Sequence, residues 1–152
     1  MTMRISPASG FMSQSKSDRQ RRLLLLTQGA YYLLSGVWPL VSIDSFQAVT
    51  GRKTDLWLVK TVAVLVGVIG GVLLGSGLRR QRQAPEAIAL ACAGAAGLMA
   101  IDTTYVARKR ISPIYLLDAL AEAGLLAAFA HVWWHGRERD GKPAAHDQPV
   151  EP

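Results

Sequence analysis

Four long apolar runs constrain this chain more than any other feature of its sequence. They span residues 23–41, 56–78, 86–106 and 113–134, and each is 19 to 23 residues long. A helix of that length is about 28 to 35 Å long and matches the roughly 30 Å hydrocarbon core of a bilayer. Only helices and closed barrels span a bilayer, and these runs are too long for barrel strands. The sequence therefore predicts an all-α fold, an integral membrane four-helix transmembrane bundle.

The composition supports this fold class and excludes several others. Half of the 152 residues are hydrophobic, only 18% are charged, and there is one cysteine. A soluble domain carries about 25% charged residues, and here most charges lie between the apolar runs. A disordered chain, a disulfide scaffold and most soluble folds are therefore excluded. The first run is too long for the apolar part of a signal peptide, so we expect it to be a retained helix.

Basic residues are distributed unevenly between the two ends of the predicted bundle. Segment 1–22, the connection after residue 78 and segment 135–152 contain eleven lysines and arginines, whereas the other two connections contain five. By the positive-inside rule both termini are cytoplasmic. We expect segment 1–22 to be a flexible basic tail and segment 135–152 to be disordered. The net charge of +6 then reflects orientation in the lipid bilayer, and no nucleic-acid partner is expected.

Small residues occur on every predicted helix. The second helix carries Gly67, Gly71 and Gly75 at a spacing of four. Such a motif lets two helices approach closely, because lipid offers no hydrophobic driving force for their association. It indicates packing within the bundle or, alternatively, a seam for a homodimer or for a partner in a membrane complex.

Four ionisable residues lie inside the apolar runs: Lys60, Asp102, Asp118 and Glu122. Charged groups are costly in a membrane and usually face the bundle interior or a cavity. All four lie in the predicted outer half of the membrane, with Asp118 and Glu122 one turn apart on the same helix face. We expect them to meet in an outward-facing polar pocket, with Asp44 and Arg110 at its mouth.

The charges of this predicted pocket do not balance. Three carboxylates face one ammonium group, so either Glu122 stays protonated or another cation joins, such as Arg110 or a ligand. The alternative is purely structural: Lys60 pairs with Asp102 or Asp118 and thereby orients the helices.

The longest connection, residues 42–55, lies on the same outer side. Asp44 would cap a short helix that turns Phe46 toward the membrane, and Gly51 would end it. This segment is either an ordinary interfacial loop or a flap over the pocket.

The sequence indicates no metal, no cofactor and no catalytic motif. His131 and His135 are four residues apart, but no second pair of ligands accompanies them. Cys92 is a lone cysteine among small residues, and there is no Cys-x-x-Cys pair. The phosphate-binding, nucleotide-binding, serine hydrolase and zinc protease motifs are also absent.

Several segments together resemble small four-helix bacterial inner-membrane proteins of uncharacterised function. They are residues 31–34 (YYLL) with Trp38-Pro39, residues 46–62 (FQAVTGRKTDLWLVKTV) and residues 105–118 (YVARKRISPIYLLD). The resemblance covers most of the membrane part and implies a multi-pass protein of the inner (plasma) membrane. It implies no activity.

The sequence is compatible with three functions. The first is a structural or accessory membrane protein that is not an enzyme, since no catalytic constellation is present. The second is binding or proton-coupled transport of a small solute or lipid-like ligand at the outward-facing pocket. The third is a lipid-modifying membrane enzyme that uses Asp118 and Glu122 as acid and base.

The predicted orientation can be tested with topology reporters fused after Arg80 and after Pro152. Both fusions are expected to report a cytoplasmic location, because the basic residues concentrate on that side. An external signal from either fusion would contradict the orientation.

Overall fold

The structure, a computed structural model, describes residues 8–79 and 85–140, with side chains described for residues 16–79 and 85–135. These residues form five helices, α1 (Ala8–Val41), α2 (Ile43–Thr50), α3 (Leu56–Leu78), α4 (Pro85–Ala107) and α5 (Tyr115–Asp140). α1, α3, α4 and α5 each contain a stretch long and apolar enough to cross a membrane. The prediction of an all-helical fold with four such helices is confirmed.

The structure differs from the predicted tails at both ends of the chain. Residues 8–22 belong to α1, and residues 135–140 continue α5. Residues 11–22 contain no proline or glycine, and their glutamine, lysine and arginine residues favour a helix. Extending an existing helix also costs far less than starting one. The remainder of both predicted tails, residues 1–7 and 141–152, lies outside the described residues.

The four long helices form two pairs that α1 joins. α1 packs mainly on α3, and α4 packs mainly on α5. α1 also contacts α5, whereas α4 makes only small contacts with both α1 and α3. A cluster of buried apolar side chains lies around α1, formed by Leu25, Tyr32, Leu73, Ala87, Ala91 and Phe129.

α1 and α3 pack backbone against backbone. A methyl group on Gly36 would lie 2.5 Å from the carbonyl oxygen of Ala63, and one on Gly29 would lie 2.5 Å from the backbone nitrogen of Leu74. Gly36 comes after Gly29 in α1, but its contact, Ala63, comes before Leu74 in α3. The two helices are therefore antiparallel. Glycine is required at both positions of α1, because any side chain would separate the helices.

Of the three glycines predicted to form a packing surface, Gly67, Gly71 and Gly75, only Gly67 faces another helix of the described chain. A methyl group on Gly67 would lie 4.0 Å from the Cα atom of Gly36, whereas methyl groups on Gly71 and Gly75 would meet no atom of the described chain within 4 Å. The tightest position on α3 is Gly70, where a methyl group would overlap the backbone of α1. A homodimer or membrane-complex partner at Gly71 and Gly75 stays a prediction.

Large apolar side chains cover the outside of the bundle. Leu34, Trp57, Leu117 and Leu120 are between 64% and 71% exposed, and many other large apolar residues are at least 37% exposed. Exposed apolar side chains in this number are unfavourable in water and are suited to contact with lipid. Together with the four long helices, it indicates a multi-pass membrane protein.

The backbone contact between α1 and α3 predicts different results for two neighbouring glycines. Gly70→Ala is expected to lower the free energy of unfolding by about 1–3 kcal/mol, because the methyl group overlaps the backbone of α1. Gly71→Ala is the matched control, since the same methyl group there meets open space. Thermal unfolding in detergent micelles measures both variants. Equal effects of the two substitutions would contradict the contact.

Candidate ligand-binding site

A cavity of about 440 Å³ lies between the two helix pairs, toward the end of the bundle that carries α2. Its walls are mainly apolar. α3 contributes Leu58, Val59, Val62, Ala63 and Val66, and α4 contributes Leu98 and Ile101. The cavity exists because α3 packs on α1 while α4 packs on α5, which leaves space where α3 and α4 face each other.

Three carboxyl groups line this apolar cavity. Asp102 comes from α4, and Asp118 and Glu122 come from successive turns of α5. Asp102 is 5% exposed and Glu122 is fully buried, whereas Asp118 is partly exposed. Burying a carboxylate is costly unless it is paired and hydrogen-bonded. The partners of these three groups therefore decide what the site can do.

Two adjacent tyrosines of α1 bind two of the carboxyl groups. The Tyr32 hydroxyl donates a hydrogen bond to Glu122 Oε2 at 2.9 Å, and the Tyr31 hydroxyl donates to Asp118 Oδ1. The two tyrosine rings lie 6.0 Å apart, centroid to centroid. Gly94 of α4 makes room for Tyr32, because a methyl group there would lie 3.4 Å from the Tyr32 ring.

Two carboxyl oxygens remain without a partner. Asp102 Oδ2 and Glu122 Oε1 are buried and accept no hydrogen bond. Among the described residues, no lysine or arginine forms an ion pair with Asp102, Asp118 or Glu122. An unsatisfied buried polar atom costs about 1–3 kcal/mol, and more when it is charged. Two residues that line the cavity thus hold buried acceptors that a donor, a proton or a cation would satisfy.

Asp102 and Asp118 line the same cavity from neighbouring helices, close enough for their charges to interact. Two ionised carboxylates repel, and neither carries a proton to donate. Their proximity is favourable only when a proton or another cation lies between them. This arrangement adds a second reason for positive charge in the cavity.

A stripe of polar side chains on α1 supports the site, and the sequence analysis did not identify it. Tyr31, Tyr32 and Ser35 line the cavity, and Gln28 lies one turn before Tyr32. Gln28 is fully buried, and its Nε2 donates to the Ala91 carbonyl oxygen at 2.8 Å. The four residues recur at helical spacing within an apolar run, which is the signal that would have identified them.

Three residues predicted for the pocket lie elsewhere. Lys60 is exposed on α3 and does not line the cavity, because the cavity side of that helix carries Val59, Val62, Ala63 and Val66. Asp44 lies with Arg52 at a separate surface depression, and Arg110 is exposed in the connection between α4 and α5. Lys60 therefore does not pair with Asp102 or Asp118 in this structure.

α2 and the turn after it form the mouth of the cavity. Phe46 of α2 lines the cavity and packs edge-on against Trp38, with ring centroids 5.6 Å apart. Gly51 ends α2 with a φ of 86°, a conformation that other residues rarely adopt. Lys53 follows in this turn and also lines the cavity. Segment 42–55 thus contains the short helix that the sequence suggested, placed beside the cavity, but Ser42 and not Asp44 occupies its N-cap position.

His131 and His135 lie one turn apart near the end of α5. Their rings pack edge to face with centroids 4.3 Å apart. In the part of the chain that the structure describes, no group of three or more His, Cys, Asp or Glu is arranged to hold a metal ion.

Comparison with protein-family models, curated proteins and solved structures gave no significant match. The resemblance to small four-helix bacterial inner-membrane proteins therefore stays a prediction.

The hydrogen bond between Tyr32 and Glu122 can be tested by removing one hydroxyl group. Tyr32→Phe is expected to lower the free energy of unfolding by about 1–3 kcal/mol, because it leaves Glu122 with no partner for either oxygen. Tyr105→Phe is the matched control, since Tyr105 lines the same cavity but is 43% exposed. Thermal unfolding of both variants in detergent provides the measurement. Equal stability of the two variants would contradict a buried hydrogen bond at Tyr32.

Proposed function

We propose that this chain is a multi-pass inner-membrane protein that binds a small amphiphile carrying a cationic amine. The amine lies among Asp102, Asp118 and Glu122, and the apolar part fills the rest of the cavity. One observation carries the proposal: Asp102 and Glu122, which line an apolar cavity of about 440 Å³, each hold a buried carboxyl oxygen without a partner.

The carboxyl groups favour an ammonium group over a neutral donor. An ammonium group has three N–H donors, which is enough to reach Asp102 Oδ2, Glu122 Oε1 and a third acceptor. Hydrogen bonds to charged groups are worth about 1.5–3 kcal/mol each, more than neutral ones. A cation between Asp102 and Asp118 also removes their mutual repulsion.

The walls of the cavity favour an apolar body on the same ligand. Aliphatic side chains of α3 and α4 form most of the lining, and burying apolar surface gains about 25 cal/mol per Å². The volume also falls within the range of about 300–1,000 Å³ that is typical of ligand pockets. An inorganic cation would leave this apolar space unused.

The proposed orientation places the mouth of the cavity on the side away from the cytoplasm. This orientation is supported by the excess of lysine and arginine in the segments at the end of the bundle away from the mouth. A ligand would then enter from the outer face of the membrane or from its outer leaflet.

Binding of octylamine and octanol tests the proposal, because the two probes differ only in the charged group. With protein in nanodiscs of zwitterionic lipid, octylamine is expected to bind about tenfold to hundredfold more tightly than octanol. The double variant Asp102→Asn, Glu122→Gln is expected to lose this preference. Asp44→Asn is the control, because Asp44 lies outside the cavity. Equilibrium binding with empty nanodiscs subtracted provides the measurement.

Two outcomes would overturn the proposal. Equal affinity for octylamine and octanol would show that the carboxyl groups do not select a cation. Octylamine binding that survives the double variant would place the amine elsewhere. A structural or accessory role, the first function considered from the sequence, would then be the better account.

A further inference from the structure

We propose that Lys53 binds an anionic group at the mouth of the cavity, so that the ligand carries an ammonium at one end and an anion at the other. This inference rests on the proposed function and identifies the class of ligand. It adds a second recognition group to the three carboxyl groups. The ligand would be a zwitterion whose two charges are separated by an apolar segment.

The structure holds the Lys53 side chain at the mouth. The Lys53 backbone nitrogen donates to Gln47 Oε1 at 2.9 Å, which fixes the turn after α2. Lys53 Nζ lies 3.3 Å from the Thr50 carbonyl oxygen and 4.8 Å from the centroid of the Tyr115 ring. These contacts keep the ammonium group beside the first turn of α5.

The Lys53 ammonium has no anionic partner among the described residues. It has three donors, and one carbonyl oxygen accepts from it. Lys53 is only partly exposed and lines the cavity. It therefore offers both unused donors and positive charge to whatever occupies the mouth.

The two charged regions lie at different depths along α5. Tyr115, which Lys53 contacts, and Glu122 are seven residues apart, or about 10 Å along the helix axis. Asp118 lies between them, about 4.5 Å from Tyr115 along the same axis. A ligand that reaches from Lys53 to Glu122 therefore needs its charges about 10 Å apart, which an α-amino acid does not provide. A medium-chain ω-amino acid such as ω-aminooctanoate does.

Variants of Lys53 and two probes of equal chain length test this inference in nanodiscs. Lys53→Met is expected to weaken ω-aminooctanoate binding about fivefold to tenfold and to change octylamine binding less than twofold. Lys53→Arg is expected to retain binding of both probes, because it keeps the positive charge. Thermal unfolding shows whether each variant is folded.

Chain length gives a second measurement on the wild-type protein, independent of any variant. ω-Aminooctanoate is expected to bind more tightly than both the shorter ω-aminobutyrate and the longer ω-aminododecanoate, because only its length matches the separation of the charges. Affinity that rises steadily with chain length would overturn the inference.

The remaining outcomes separate this inference from the proposed function. If octylamine binds but ω-aminooctanoate does not, or if Lys53→Met weakens both probes equally, the role of Lys53 is overturned and the cation site stands. If neither probe binds the wild-type protein, the cation site fails and the role of Lys53 fails with it.

Discussion

A buried carboxyl group must find a donor, a proton or a cation, and this requirement governs the centre of the bundle. Glu122 and Asp118 obtain donors from Tyr32 and Tyr31, which ties α5 to α1. Gln28, one turn away, ties α1 to α4 through a backbone carbonyl. One polar stripe on α1 therefore orients the α4 and α5 pair relative to α1. These donors do not satisfy every carboxyl oxygen. The remaining oxygens can be satisfied by a further donor, a proton or a cation.

The adjacent side of α1, which carries Gly29 and Gly36, explains why that site is a cavity. Gly29 and Gly36 let α3 approach until the two backbones touch. Such close packing fixes α3 on α1 and leaves it little contact with α4. Gly36 also lines the cavity, so one residue contributes to the tight contact and to the open space beside it. The tight packing and the cavity wall thus depend on the same helix, which carries small residues on one face and polar residues on the adjacent face.

The mouth of the cavity combines features that the bundle alone does not provide. The turn that ends α2 at Gly51 brings a lysine over the aromatic ring at the start of α5. The cavity therefore has carboxyl groups on α4 and α5, aliphatic side chains along its walls and an ammonium group at its mouth. This order of charges is the physical basis for assigning an amphiphilic ligand with two opposite charges.

The four long helices and the acidic residues within them are predictable from the sequence alone, because length, apolarity and charge are local properties. The sequence also placed Asp118 and Glu122 on one face, since that follows from helical periodicity. The packing of the helices was not predictable in this way. It places Lys60 and Gly71 on the outside of the bundle. It also turns Tyr31 and Tyr32 toward the carboxyl groups of α5 and brings Lys53 to the mouth of the cavity. The packing was not predictable because a helix such as α3 is apolar on all sides. In lipid the outer face is as apolar as the inner one, so the pattern of residues does not show which face is buried.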